Sequence, residues 1–164
     1  MLNLYKTLVR PHVEYGSSAW NLYYKKDKEL LEQIQHRYTK MITDMRDKIY
    51  ENRLKCLRLW TLEECRDRQD LKKVFKMYKG YHFVMLQELF VLDANSKDTR
   101  GTRGHSCKLI KARCTMDTAR YFFSNKVINR WHVLEQSAVN TSSINVFKNS
   151  LEKFRSNWVG FFMD

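Results

Sequence analysis

A single proline, Pro11, and five glycines punctuate 164 residues. Strand-rich folds need frequent tight turns, and turns draw on glycine and proline, so a chain with so few of either reads as a set of long helices. The apolar spacing agrees. Four sets of side chains recur at three and four residues, the period of a helix with one buried face. They are Leu30, Leu31, Ile34, Tyr38, Met41, Ile42 and Met45; Cys65, Leu71, Val74, Phe75 and Tyr78; Ala119, Phe122, Phe123, Val127, Ile128, Trp131 and Leu134; and Ile144, Phe147, Leu151, Phe154 and Trp158. With 43% hydrophobic and 13% aromatic residues, the chain has the means to bury a core. The expected fold is all-α.

Local signals divide it further. The opening helix carries Leu2, Tyr5, Leu8 and Val9 on one face, and Pro11 predicts that it stops or kinks there. Residues 11–24, with Tyr15, Trp20, Tyr23 and Tyr24, suit a buried connection or a second half-helix. Asp27 falls where it caps or charges the first turn of a helix over 26–45. Tyr50, Leu54 and Leu57 place a short helix over 47–57, and Thr61-Leu62-Glu63-Glu64 matches a capping box that starts the next one. That helix meets Gly80, a natural C′ residue. Residues 81–92 form a shorter apolar segment, helical around 85–90, and 93–98 a polar link. Thr141, Ser142 and Ser143 supply a cap for the last helix. The expected organisation is a helical region over 1–92, a linker and basic loop over 93–116, and a C-terminal helical hairpin over 117–164.

Thirty basic residues face 18 acidic ones, for a formal charge of +12. A surface of that sign attracts nucleic acid or anionic membrane. No apolar run approaches the ~18 residues that span a bilayer, so membrane is set aside. Lys6 and Arg10 interrupt the early apolar run where a secretory signal would need it whole. Cys56, Cys65, Cys107 and Cys114 therefore read as reduced thiols of a nuclear or cytoplasmic protein, not a secreted one. The charge is densest at 100–113, where Arg100, Arg103, Lys108, Lys111 and Arg113 meet no acid. Gly101-Thr102-Arg103-Gly104 there reads G-x-x-G, the pattern that clamps a nucleic-acid backbone in KH domains, without the strands that fold requires. Its mechanism still applies: glycines expose backbone amides, Arg103 forks onto a phosphate, and His105, Lys108 and Lys111 extend the track.

Catalytic chemistry finds no such support. Glu63, Glu64, Asp67 and Asp70 alternate with Arg66, Arg68, Lys72 and Lys73, which reads as a solvated, salt-bridged helix face and not as a divalent-metal site. His105, Cys107, Cys114 and His132 match no zinc spacing. Ser17, after Gly16, lacks the second glycine of a nucleophile elbow. No catalytic, metal or cofactor residue is expected. Among the aromatics, Phe122, Phe123 and Trp131 are expected in the core, and Tyr121, off the stripe, is left as the candidate for base stacking.

Leu4-Tyr5-Lys6-Thr7-Leu8-Val9-Arg10-Pro11-His12-Val13-Glu14-Tyr15, then Ser18-Ala19-Trp20, Leu31-Glu32-Gln33-Ile34-Gln35-His36-Arg37 and Lys40-Met41-Ile42, resemble the region just after the palm in reverse transcriptases of LINE-type (non-LTR) retrotransposons, the jockey-like group and its relatives. Thr102-Arg103-Gly104-His105, the run from Tyr121 through Trp131, and Ser143-Ile144-Asn145-Val146-Phe147-Lys148 resemble that family's C-terminal signatures, in the same order. The resemblance implies the thumb and C-terminal region of an RNA-directed DNA polymerase, a helical unit that grips the template-primer duplex. By position it makes Lys28, Arg37, Lys40, Lys72, Lys76 and the 100–113 loop candidates for backbone contact. It also implies a chain that is not an enzyme by itself, since the palm's aspartates, the fingers and the endonuclease have no counterpart here, and it makes Met1 readable as an internal methionine of a degraded element. After Trp131 the family commonly has Asn-x-Leu-Pro, where this chain has His132-Val133-Leu134-Glu135. The expected partner is an RNA/DNA duplex or RNA. The competing expectations are a helical interaction module that docks through its 144–158 seam, onto a separate palm or fingers fragment or onto itself, and an inert translated fragment.

Overall fold

A computed structural model describes residues 2–19, 22, 24–93, 105–113, 116, 122–157 and 161–162. Helix dominates them, and the fold is all-α apart from one short ladder. In chain order the elements are α1 (Leu2–Leu4), a π-helical segment (Tyr5–Val9), α2 (Arg10–Glu14), α3 (Lys25–Lys40), α4 (Tyr50–Leu57), α5 (Leu62–Tyr78), α6 (Leu86–Leu89), β1 (Val91–Leu92), β2 (Leu109–Ile110), α7 (Phe123–Val133), α8 (Gln136–Val139) and α9 (Ile144–Asn157). Two compact units, Met1–Arg66 and Asp67–Asp164, divide inside α5 and not at the polar stretch after Leu92. No described helix is long and apolar enough to cross a membrane.

In the first unit the chain does not stop at Pro11. The Arg10 N–H bonds the Tyr5 carbonyl, five residues back, and this widened turn relieves the clash a proline ring makes with a regular helix. Helix then continues to Glu14, and Tyr15 turns extended. Of the aromatics beyond, Tyr15 and Tyr24 face solvent, and Trp20 and Tyr23 lie outside the described residues. Tyr5 is buried with Leu54 and Leu59, and Leu2, Val9, Tyr38, Tyr50 and Leu57 pack around them.

Helix α3 differs most from its expected orientation. Gln35 and Thr39 are fully buried, whereas Leu30, Ile34 and Met41 of the expected stripe are exposed, a rotation of roughly a quarter turn. Polar partners explain it. Tyr5 donates to Gln35 Oε1 at 2.6 Å, and Gln35 Nε2 donates to the Trp60 carbonyl at 3.0 Å and lies 3.0 Å from Tyr50 Oη. Tyr50 in turn donates to Glu32, whose second oxygen accepts the Leu62 N–H at 2.8 Å. A fully partnered buried amide offsets its own desolvation, so Gln35 serves inside where a lone amide would cost heavily. Asp27 lies in the first turn of α3, whose N-cap residue, Tyr24, makes no side-chain cap bond.

The capping box forms as expected: the Glu64 N–H bonds Thr61 Oγ1 at 3.2 Å and the Thr61 N–H bonds Glu64 Oε2 at 2.9 Å. In the second unit α5 turns Leu71, Val74 and Phe75 inward, α7 contributes Val127, Ile128 and Trp131, and α9 contributes Phe147, Leu151 and Phe154, all buried. Phe75 and Phe147 stack at 4.2 Å. The α9 seam, expected as a docking face, is therefore covered by its own unit. Phe122, expected in the core, is 55% exposed because it is the extended residue that caps α7. At the other end Leu134 leaves the helix in an extended conformation. Ser143 Oγ accepts the Asn145 N–H at 3.2 Å and caps α9.

The acidic face of α5 also departs from expectation. Glu64, Asp67 and Asp70 are buried and not solvated. Lys126 and Arg130, one turn apart on α7, explain the inward carboxylates: Lys126 Nζ lies 2.6 Å from Asp67 and 3.6 Å from Asp70, and Arg130 lies 3.2 Å from Asp67. Sequence spacing within one helix suggests local pairs, but these partners come from another.

Candidate nucleic-acid interface

Within the described part of the basic stretch, residues 105–113, Leu109–Ile110 form a short strand. Along 105–110 His105 and Leu109 are buried, Ser106 and Ile110 exposed, and Cys107 and Lys108 half-buried. Leu109 and Ile110 pair antiparallel with Leu92 and Val91, and the Asp93 N–H bonds the Lys108 carbonyl at 3.0 Å. Helix α7 pins the other side: Trp131 Nε1 donates to the Cys107 carbonyl at 2.9 Å, and His132 Nε2 accepts the Leu109 N–H at 3.0 Å. The Ser106 N–H reaches Gln136 Oε1 at 2.7 Å.

This scaffold removes His105 from the candidate contacts. It is 3% exposed, with Nε2 2.7 Å from the Trp131 carbonyl and Nδ1 accepting the Cys107 N–H at 3.1 Å. Burial holds its pKa below the ordinary histidine value, with Lys108 adding to the effect. It is a neutral core histidine, out of reach of a phosphate. His132 is pushed down by burial in the same way. Both are consumed by backbone hydrogen bonds, and no group of three or more potential metal ligands exists among the described residues.

The remaining cations are placed unevenly. Lys111 and Arg113 follow β2 on the exposed side, and Lys111 Nζ donates to Asn129 Oδ1 at 3.1 Å. Lys108 is half-buried. On α5, Lys76 is exposed and Lys72 half-buried. In the first unit Arg37 and Lys40 are exposed on α3, whereas Lys28 turns toward Glu63 at 2.6 Å and belongs to an internal pair. Arg100, Arg103, the G-x-x-G glycines and Tyr121 lie outside the described residues. Among the described residues no carboxylate lies within ion-pair distance of Arg37, Lys40, Lys76, Lys111 or Arg113.

Sequence reasoning passed over two exposed aromatics that follow α5 in the chain, Tyr81 and Phe83. The available signal was the end of apolar periodicity at Gly80. Compared with protein-family models, curated proteins and solved structures, the chain matches none.

Proposed function

We propose that this chain binds nucleic acid through the phosphate backbone, as a thumb and C-terminal region of a LINE-type reverse transcriptase. The observation that carries the reading is the short antiparallel ladder that leads into exposed Lys111 and Arg113 with no described carboxylate to pair them. Side chains held that way neutralise phosphates and release counterions without first breaking internal ion pairs. The ordered series of family-like motifs supports the same reading. Contacts of this kind read charge and spacing and not base identity, so binding is sequence-tolerant. An interaction module docking through the 144–158 seam is less favoured, because Phe147, Leu151 and Phe154 are already buried.

Replacing Arg100, Arg103, Lys108 and Lys111 together by alanine tests the proposal by anisotropy on a labelled RNA/DNA hybrid. Affinity should fall by at least about tenfold at moderate salt, with the helical circular-dichroism signal unchanged. Equal affinity for variant and parent would remove the basic stretch as the contact.

A further inference from the structure

Just past α5 the chain spends several hydrogen bonds on a turn that presents an aromatic ring to water. Gly80 adopts φ 72°, which a side chain would disfavour. The next residue closes the helix end, its Tyr81 N–H reaching the Lys76 carbonyl at 2.7 Å. Tyr81 Oη donates to the Ser142 carbonyl at 2.8 Å, which ties the turn to the segment before α9. His82 Nδ1 accepts the Val84 N–H at 3.1 Å, which fixes the imidazole. That ring stacks on Phe83 with centroids 4.6 Å apart and planes 24° from parallel. Phe83 itself is 89% exposed.

A phenyl ring so placed adds little to the core, yet its backbone and one neighbour are held. Its chain neighbours supply cations and one acid, Glu88, whose Oε1 accepts the Met85 N–H at 2.7 Å at the far end of the turn. Between Asp70 and Glu88 the sequence holds Lys72, Lys73, Lys76 and Lys79 and no acid. Lys76 is exposed at the end of α5, and Lys79 Nζ sits 5.2 Å from the Tyr78 ring and 5.7 Å from the Phe75 ring. An exposed ring on a turn that directly follows a lysine-rich helix end is a combination that can hold a nucleotide, with the base against the ring and the phosphate toward the cations.

We infer that the turn at 81–85 is a stacking site for an unpaired nucleobase, with Phe83 as the platform, His82 as its backing and Lys76 and Lys79 as the phosphate-side charges. Bases inside a duplex are already stacked on one another, so the site selects single-stranded nucleic acid or an unpaired end. The inference rests on the nucleic-acid reading above and adds the class of strand.

Anisotropy titrations of the full chain with labelled oligothymidylate and with a duplex of equal length test it. Phe83→Ala should weaken single-strand binding roughly 5- to 100-fold while duplex affinity and its salt dependence stay unchanged. Phe83→Trp should restore single-strand binding, with tryptophan emission quenched on oligothymidylate beyond the quench of the parent chain. An unchanged single-strand affinity in Phe83→Ala, or an equal loss on both ligands, overturns the stacking site and leaves backbone binding standing. Equal losses for oligothymidylate and polyglutamate overturn it in favour of an acidic peptide. Failure of the parent chain to bind either nucleic acid overturns both readings.

Discussion

Asp70 shows how one side chain can carry a pH dependence for the fold. Burial pushes its carboxyl up to about 7, with Lys126 opposing that shift and Asp67 adding to it; Lys73 also pulls it down, and Arg130 completes the group through Asp67. In the unfolded chain the same carboxyl titrates near 3.8. Between those values the folded state retains a proton that the unfolded state has released. Raising the pH through this window therefore weakens folding through this group, and the loss levels off above the folded value. Urea midpoints at about pH 5 and about pH 8 should differ less in Asp70→Asn than in the parent chain. Equal pH dependence in both would show that Asp70 does not titrate this way. Gln35 is the matching case in the first unit. Its amide is buried between Tyr5 and Trp60, a role that glutamine's usual preference for the surface hides.

Among the elements, α5 was the most legible at its two ends, though not along its acidic face. Thr61 and Glu64 bond each other's backbone as the four-residue pattern predicts, and Gly80 ends the helix at positive φ. Thr61→Ala should cost about 1 kcal/mol of stability, read by urea titration; a loss near zero would mean that the box contributes nothing. The inward faces of α7 and α9 were equally plain, because Val127, Ile128, Trp131, Phe147 and Leu151 combine periodicity with size. Helix α3 was not. Its Leu30, Ile34 and Met41 have the right period but face water, because hydrogen bonds to Gln35 set the rotation and periodicity cannot report partners from other elements. The π-helical segment before Pro11 and the two-residue strands escaped notice for a related reason. Each depends on a neighbour, and a pattern two residues long has no measurable period.

On the scale of the whole molecule, charge was legible and its placement only partly so. The second unit holds 17 of the basic residues against 9 acidic ones, the first 13 against 9, so a polyanion should favour the second. Within it the pairing of Lys126 and Arg130 with Asp67 and Asp70 removes cations that a sequence count would assign to the surface, and burial removes His105. The exposed Lys76, Lys111 and Arg113 keep their charge available, and Phe83 adds a contact that charge counting cannot see. The central claim is that such side chains displace counterions from a nucleic-acid backbone. The most direct measurement is the dissociation constant for an RNA/DNA hybrid at increasing salt. A log-log slope on the order of −4, as for about four to five neutralised phosphates, is the predicted result; a slope near zero, or no binding at low salt, would contradict it.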